Sequence, residues 1–235
     1  MQSKSIELVL DIKTIKKNLD QDFTAYQKEY LTQYDEGESR FENKMALYPQ
    51  TGQIISIGAK NIVNGRGFVI FDAQNQFKEN FQDDNRNLTL YGSQNEKEIL
   101  TVFWNLIASM QKGGFDLNRL ITFNGKSFDV PFILYRSAVQ QVKITHSLGV
   151  KSPGHFHIDL LEEVSFMRKI RKFNLDIIAH SLGVASHRSE DYNNEAVNIW
   201  YEEQSFDEIA FYSYDDVELI EKVFHVLKKS WSILY

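Results

Sequence analysis

Apolar positions along the chain follow two rhythms, and their alternation predicts the fold. Ile6 to Ile15, IELVLDIKTI, is an apolar, largely β-branched run that reads as a strand buried on both faces. IISIGAKNIV and GFVIFDA read as two further strands, and Asn64-Gly65 between them is a hairpin signal that makes them antiparallel. Leu120 to Phe123 is a short apolar strand stopped by the turn Asn124-Gly125, and HFHIDLLEEVSFM reads as a short strand running into a helix. Helical spacing appears at Ile99, Leu100, Phe103, Leu106 and Ile107, after a capping box of Ser93 and Glu96 and before Gly113-Gly114. Pro131 suits the first turn of a helix reaching about Val139, and NLDIIAHSLGV forms another, closed by Gly183. The last helix opens with a second capping box, Ser205 and Glu208, and continues past Val223. Two stretches lack a clear period. Lys16 to Tyr48 is expected to be one helix plus a loop, and Asn75 to Gly92 a loop with a short strand at Leu88–Leu90. The whole predicts an α/β domain with a mixed five-stranded sheet, the first strand central and helices on both faces.

Three carboxylates interrupt these apolar patterns. Asp11 lies inside the first strand, where an ionised group must be hydrogen-bonded, paired or metal-bound. Strand alternation puts Lys13 on the same side and Ile12 on the other. Asp129 falls at the start of the Pro131 helix. Asp216 shares a stripe of the final helix with Ile209, Tyr212, Leu219 and Val223. A shared divalent metal would satisfy all three at once. Each also has a plainer reading: Asp129 as a helix cap, Asp11 as the partner of Lys13, and Tyr212 and Asp216 as a solvated face beside Asp215, with Tyr214 blurring the amphipathic pattern.

Composition narrows the chemistry. The 235 residues, without a low-complexity tract, suggest a single domain spanning the chain. With no cysteine, a metal must sit on oxygen or imidazole, and oxygen favours Mg2+ or Mn2+. His155 and His157 have a metal-like spacing, although histidines before a helix are more often ordinary loop residues. No apolar run is long enough for a signal peptide or a membrane span, so a cytoplasmic location is expected. A net charge of −6 argues against a broad nucleic-acid coat, which leaves the local basic strip Arg168, Lys169, Arg171 and Lys172 as the candidate phosphate contact.

DIKT, NGKSFDVPFI, HIDLL, NLDIIAHSLGV, and Tyr212 with Asp216 four residues on carry, in that order, a resemblance to the DEDD-type (DEDDy) 3′–5′ exonucleases of the RNase H-like fold. The likeness is greatest to stand-alone exonucleases related to the proofreading domain of family B DNA polymerases. It implies that Asp11, Asp129 and Asp216 hold two ions, that Tyr212 orients the attacking water, and that Thr14, Asn124 and Phe128 contact the strand. The substrate implied is a single-stranded DNA 3′ end, with RNA as the alternative, and the mechanism is two-metal hydrolysis. The exposed aromatics Phe23, Tyr26, Tyr30 and Tyr34 suggest a protein partner docking through residues 20–48.

Lys13 departs from the resemblance. It stands where that pattern has a metal-binding Glu, so an ammonium occupies the place of a ligand and competes with the ion. Glu7 shares the strand face but lies about 13 Å away, too far to substitute. The nearer ion is therefore expected to bind weakly or not at all. Two functions follow: a metal-dependent 3′–5′ exonuclease, active or impaired at Lys13, or, as Lys13 itself favours, a catalytically inactive relative kept as a nucleic-acid or protein binding module. Retention of Asp11, Asp129, Tyr212 and Asp216 favours the enzyme, because a binding module has no evident need of costly buried carboxylates.

Overall fold

The computed structural model describes residues 4–33, 41–42, 44–74, 76, 81–150, 156–189 and 191–231. Its organising element is β1 (Lys4–Lys16), whose side chains alternate between two apolar layers. Ile6, Leu8, Leu10 and Ile12 enter one core cluster, and Val9 and Ile15 the other. A strand buried on both faces has no solvent face for its polar residues, so Asp11 and Lys13 must find partners within the fold.

Seven strands form the sheet among the described residues, in the order β4-β5-β3-β2-β1-β6-β7. They are β2 (Gly52–Asn61), β3 (Arg66–Asp72), β4 (Phe81–Asp83), β5 (Leu88–Ser93), β6 (Phe115–Thr122) and β7 (His157–Asp159). The expected five are contiguous: β2 runs antiparallel to β1 and β3, whereas β6 and β7 lie parallel on the other side of β1. The strand count corrects the expectation. β5 pairs parallel with β3, and the three-residue β4 pairs with β5. Among the described residues of that stretch only Leu88 and Leu90 are buried apolar residues, too few to set a period of two in the sequence.

Helices cover both faces. On one side lie α3 (Glu96–Lys112) and α4 (Asp129–Val139), joined by Trp104 Nε1 donating to Ser137 Oγ at 2.8 Å. On the other lie α5 (Leu160–Val164), α6 (Leu175–Ser181), α7 (Ala196–Glu202) and the long α8 (Phe206–Ser230). Tyr212 and Tyr214 of α8 are both fully buried, because the helix is covered on more than its sheet-facing side. Tyr214 lies so close to β3 that a Cβ at Gly67 would come within 2.3 Å of its ring, so only glycine fits there.

Several local expectations change. Among its described residues, Lys16 to Tyr48 includes the short helices α1 (Leu19–Asp22) and α2 (Ala25–Thr32), the second started by a capping box of Thr24 and Gln27, and a 3-10 turn at Met45–Leu47. α3 is capped by Asn95 rather than Ser93, and Glu96 turns inward to Arg136. Ser205 begins α8, but its side chain makes no capping hydrogen bond. Among the described residues no helix is long and apolar enough to cross a membrane. Of the aromatics expected to dock a partner, Tyr26 and Tyr30 are exposed, Phe23 packs against the Leu19–Phe41–Met45 cluster, and Tyr34 lies outside the described residues. Among the described residues, nothing around them supports a partner.

Candidate active-site cleft

The cleft forms where β1 outruns its neighbour. β6 pairs with β1 only as far as Val9 and Ile121, so the end of β1 has an open edge. Asp129, in the first turn of α4, fills part of the gap, its Oδ1 accepting the Ile12 N–H at 3.0 Å. Asn124 (φ +65°) and Gly125 bring α4 there in a tight turn, and a Cβ at Gly125 would strike the Thr122 side chain at 2.3 Å. Asp159 anchors the same turn by accepting the backbone N–H of Asn124 at 2.7 Å and of Lys126 at 3.0 Å.

Asp11 and Lys13 project toward α8, as alternation requires. Lys13 is buried, and its Nζ donates to Asp11 Oδ2 at 2.8 Å and to Asp216 Oδ2 across the sheet-helix interface. A register shift between Lys13 and Thr14 breaks the β1–β2 ladder beside the ammonium. A second cation arrives from the irregular segment after α6. Arg188 Nη2 lies 2.9 Å from both oxygens of Asp216, and its Nε 3.2 Å from Oδ1. His187 Nε2 is also 3.2 Å from Asp216 Oδ1. Tyr212, one turn before Asp216, donates its hydroxyl to Asn194 Oδ1 at 3.0 Å. Its ring lies 4.7 Å from Lys13 Nζ and packs edge-on against His187, Tyr192 and Trp200.

The electrostatics follow from this enclosure. Burial opposes the charge on Lys13, but Asp11 and Asp216 overcome it and hold the ammonium above the usual lysine range. Burial also opposes the charge on Asp216, yet Lys13, His187 and Arg188 keep its carboxyl well below the usual carboxylate range. Asp129 goes the other way: burial, then the charge of Asp11, raises it well above the ordinary value. Asp11 is raised by burial and by Asp216, against the pull of Lys13. Burial pushes the Tyr212 phenol up to about 12.

Thus Asp11, Lys13, Asp129, Tyr212 and Asp216 come together. Asp11, Lys13, Asp129 and Asp216 line a cleft of about 480 Å3 with Thr14, Asn124 and Phe128. Thr14 Oγ1 donates to Ala46 O at 2.7 Å, and the Phe128 ring lies 5.3 Å from that of Phe132. Arg168, Lys169, Arg171 and Lys172 are absent from the lining. They sit on an exposed turn just before Phe173, which does line it. His157 Nε2 lies 2.8 Å from Thr122 Oγ1, and His155 lies outside the described residues.

The donor set does not suit a divalent ion. A carboxylate offers about four lone-pair sites, and those of Asp216 face one ammonium and one forked guanidinium. Among the described residues no group of three or more His, Asp or Glu side chains is arranged to hold a metal. Lys13 and Arg188 instead put two positive charges against three carboxylates, one of which burial drives toward its neutral form.

A family model of the RNase H superfamily, RNase_H_2, matches residues 63–228, more than half of the chain. The chain belongs to the RNase H superfamily. The match covers α4 and most of α8, and with them Asp129, Tyr212 and Asp216, but begins after β1 and so includes neither Asp11 nor Lys13. None of the curated proteins matches the chain. Membership of the RNase H superfamily suggests nuclease-like activity and nucleic-acid binding. Arg188, His187, Asn194 and Asp159 were not among the residues singled out from the sequence. Asp159 stands within the HIDLL motif, whereas HRSEDYNNE shows only polarity and no period.

Proposed function

We propose that this RNase H superfamily protein receives a single-stranded nucleic-acid 3′ end in the cleft and holds it without hydrolysis, as an inactive relative of the DEDD exonucleases it resembles. One observation carries the reading: the Lys13 ammonium is bonded to both Asp11 and Asp216. Two-metal hydrolysis needs those oxygens for the ions that make the nucleophile and stabilise the leaving oxygen. Here they are taken by cations of the chain itself.

The buried carboxylates do not argue for retained activity. Asp129 accepts the Ile12 N–H, Asp11 binds Lys13, and Asp216 binds Lys13 and Arg188, so each has a partner in the absence of a metal. Tyr212 gives its hydroxyl to Asn194 rather than holding it ready for a water. Thr14, Asn124 and Phe128 remain on the cleft wall to meet the terminal nucleotide, and the basic turn at Arg168, Lys169, Arg171 and Lys172 supplies phosphate contacts beyond it. DNA and RNA ends both fit this reading.

The test is incubation of a 5′-labelled single-stranded oligonucleotide with Mg2+ or Mn2+. The expected result is a strand that is bound, in a salt-dependent way, but not shortened. Trimming from the 3′ end that Asp129→Ala abolishes would overturn the proposal and make the protein a working exonuclease. Lys13→Glu combined with Arg188→Gln frees the carboxylates, so trimming by that variant alone would support it.

A further inference from the structure

The turn from Phe166 to Phe173, FMRKIRKF, alternates apolar and cationic residues and displays both. Phe166 is 56% exposed, Ile170 54% and Phe173 44%. Exposure of so much apolar surface costs free energy unless something covers it. The turn is built rather than slack: Phe166, Met167 and Arg168 take φ of +50°, +55° and +66° in succession, which side-chain-bearing residues avoid. Met167 N donating to Glu162 O at 2.8 Å and Ile170 N to Ser165 O at 3.1 Å hold it so.

Beside it lies a shallow apolar groove of about 230 Å3, floored by Ile178, Leu182 and Leu227. One wall is the pair Phe166 and Trp231, ring centroids 5.9 Å apart, and another is Phe173, on which the Arg171 guanidinium rests at 4.8 Å. Lys169 and Lys172 pair with no carboxylate among the described residues. Phe173 lines both this groove and the main cleft, and Arg168 donates to Ser127 on the loop that leads to Phe128. A ligand lying in the cleft therefore meets the groove next.

We propose that the groove is a second subsite for the same single strand. A nucleobase upstream of the 3′ end stacks against Phe166, Trp231 or Phe173, while Lys169, Lys172 and Arg171 hold the adjoining phosphates. Flat aromatic walls with a cationic rim are the chemistry of sequence-tolerant strand binding. This rests on the cleft holding a strand end, as proposed above.

Affinities of fluorescent oligothymidylates from about four to about sixteen nucleotides, with oligouridylates in parallel, test it. The longer strands should bind about tenfold more tightly than the shortest. An abasic spacer placed at the reaching position should erase that gain, and so should Phe166→Ala or Ile170→Ser, with the shortest strand unaffected. Lys169→Glu with Lys172→Glu should erase it too and flatten the salt dependence. Short strands that bind with no gain on lengthening overturn this inference and leave the cleft reading intact, whereas failure of every length to bind overturns both. Capture by phosphatidylglycerol vesicles, lost in Lys169→Glu with Lys172→Glu while the length gain persists in neither protein, would make the groove a membrane contact instead and refute the strand subsite.

Discussion

Removing the Lys13 ammonium should expose how the site is held together. In Lys13→Met the side chain keeps most of its volume, but Asp11 loses the cation 2.8 Å from its oxygen, while Asp216 keeps Arg188. Breaking one side of a buried ion pair costs roughly 3–5 kcal/mol. The Asp11 side chain is 17% exposed, so water shares the burden and about 3 kcal/mol is the better figure. For a chain of this length about 1 kcal/mol moves the midpoint by roughly 2–4 °C, so Tm should fall by about 6–12 °C. Urea unfolding at neutral pH gives the same quantity from the shift in midpoint. Adding Asp11→Asn to the variant removes the stranded charge, and about 2 kcal/mol should return. A Lys13→Met protein as stable as the parent, or a double variant no better than the single one, would refute this account of the cage.

Other consequences are open to measurement. Mn2+ should leave the melting temperature of the parent unchanged and raise that of Lys13→Glu with Arg188→Gln, since only a site with free carboxylates binds the ion in the folded state; an equal shift in both proteins counts against the internal pairing. Asp129 has a raised pKa when folded, so above that value the native state carries a buried charge that the unfolded chain hydrates freely. Asp129→Asn should accordingly be more stable than the parent at neutral pH, with the advantage shrinking as the pH falls and Asp129 takes up its proton. Thermal melts across pH check the sign. His157 is held at about 4 by burial, below its ordinary 6.5, so the unfolded chain gains a proton first on acidification. Between those values the parent should lose about 3 kcal/mol relative to His157→Gln, and a parallel pH profile of the two proteins would show that His157 is not buried neutral.

How much of this was legible in the sequence depends on the range of the interaction concerned. The central strand, the hairpin after it and the stripe of the last helix all follow from local periods of two and 3.6 residues, which the sequence carries directly. So does the pairing of Asp11 with Lys13, because residues two apart in a strand must share a side. The glycine turn at Asn124-Gly125 was equally plain, since few residues adopt that backbone. Even the convergence of Asp11, Asp129 and Asp216 could be anticipated, each being a charge that its own local pattern could not satisfy.

The identity of the groups that satisfy those charges was decided by the tertiary fold. Arg188 and His187 reach Asp216 from an irregular segment with no period to read, and Asn194 takes the Tyr212 hydroxyl from the same segment. Glu96, which sequence spacing assigned to a helix cap, is drawn inward by Arg136 forty residues away because a buried guanidinium must be paired. β5 pairs with the edge that β3 offers, and β4 with the edge of β5 in turn, partners no local pattern announces. Sequence by itself determined where the chain would place charges it could not leave unpaired; only the packed structure determined that Lys13 and Arg188 would stand against Asp11 and Asp216, because those contacts join segments far apart along the chain.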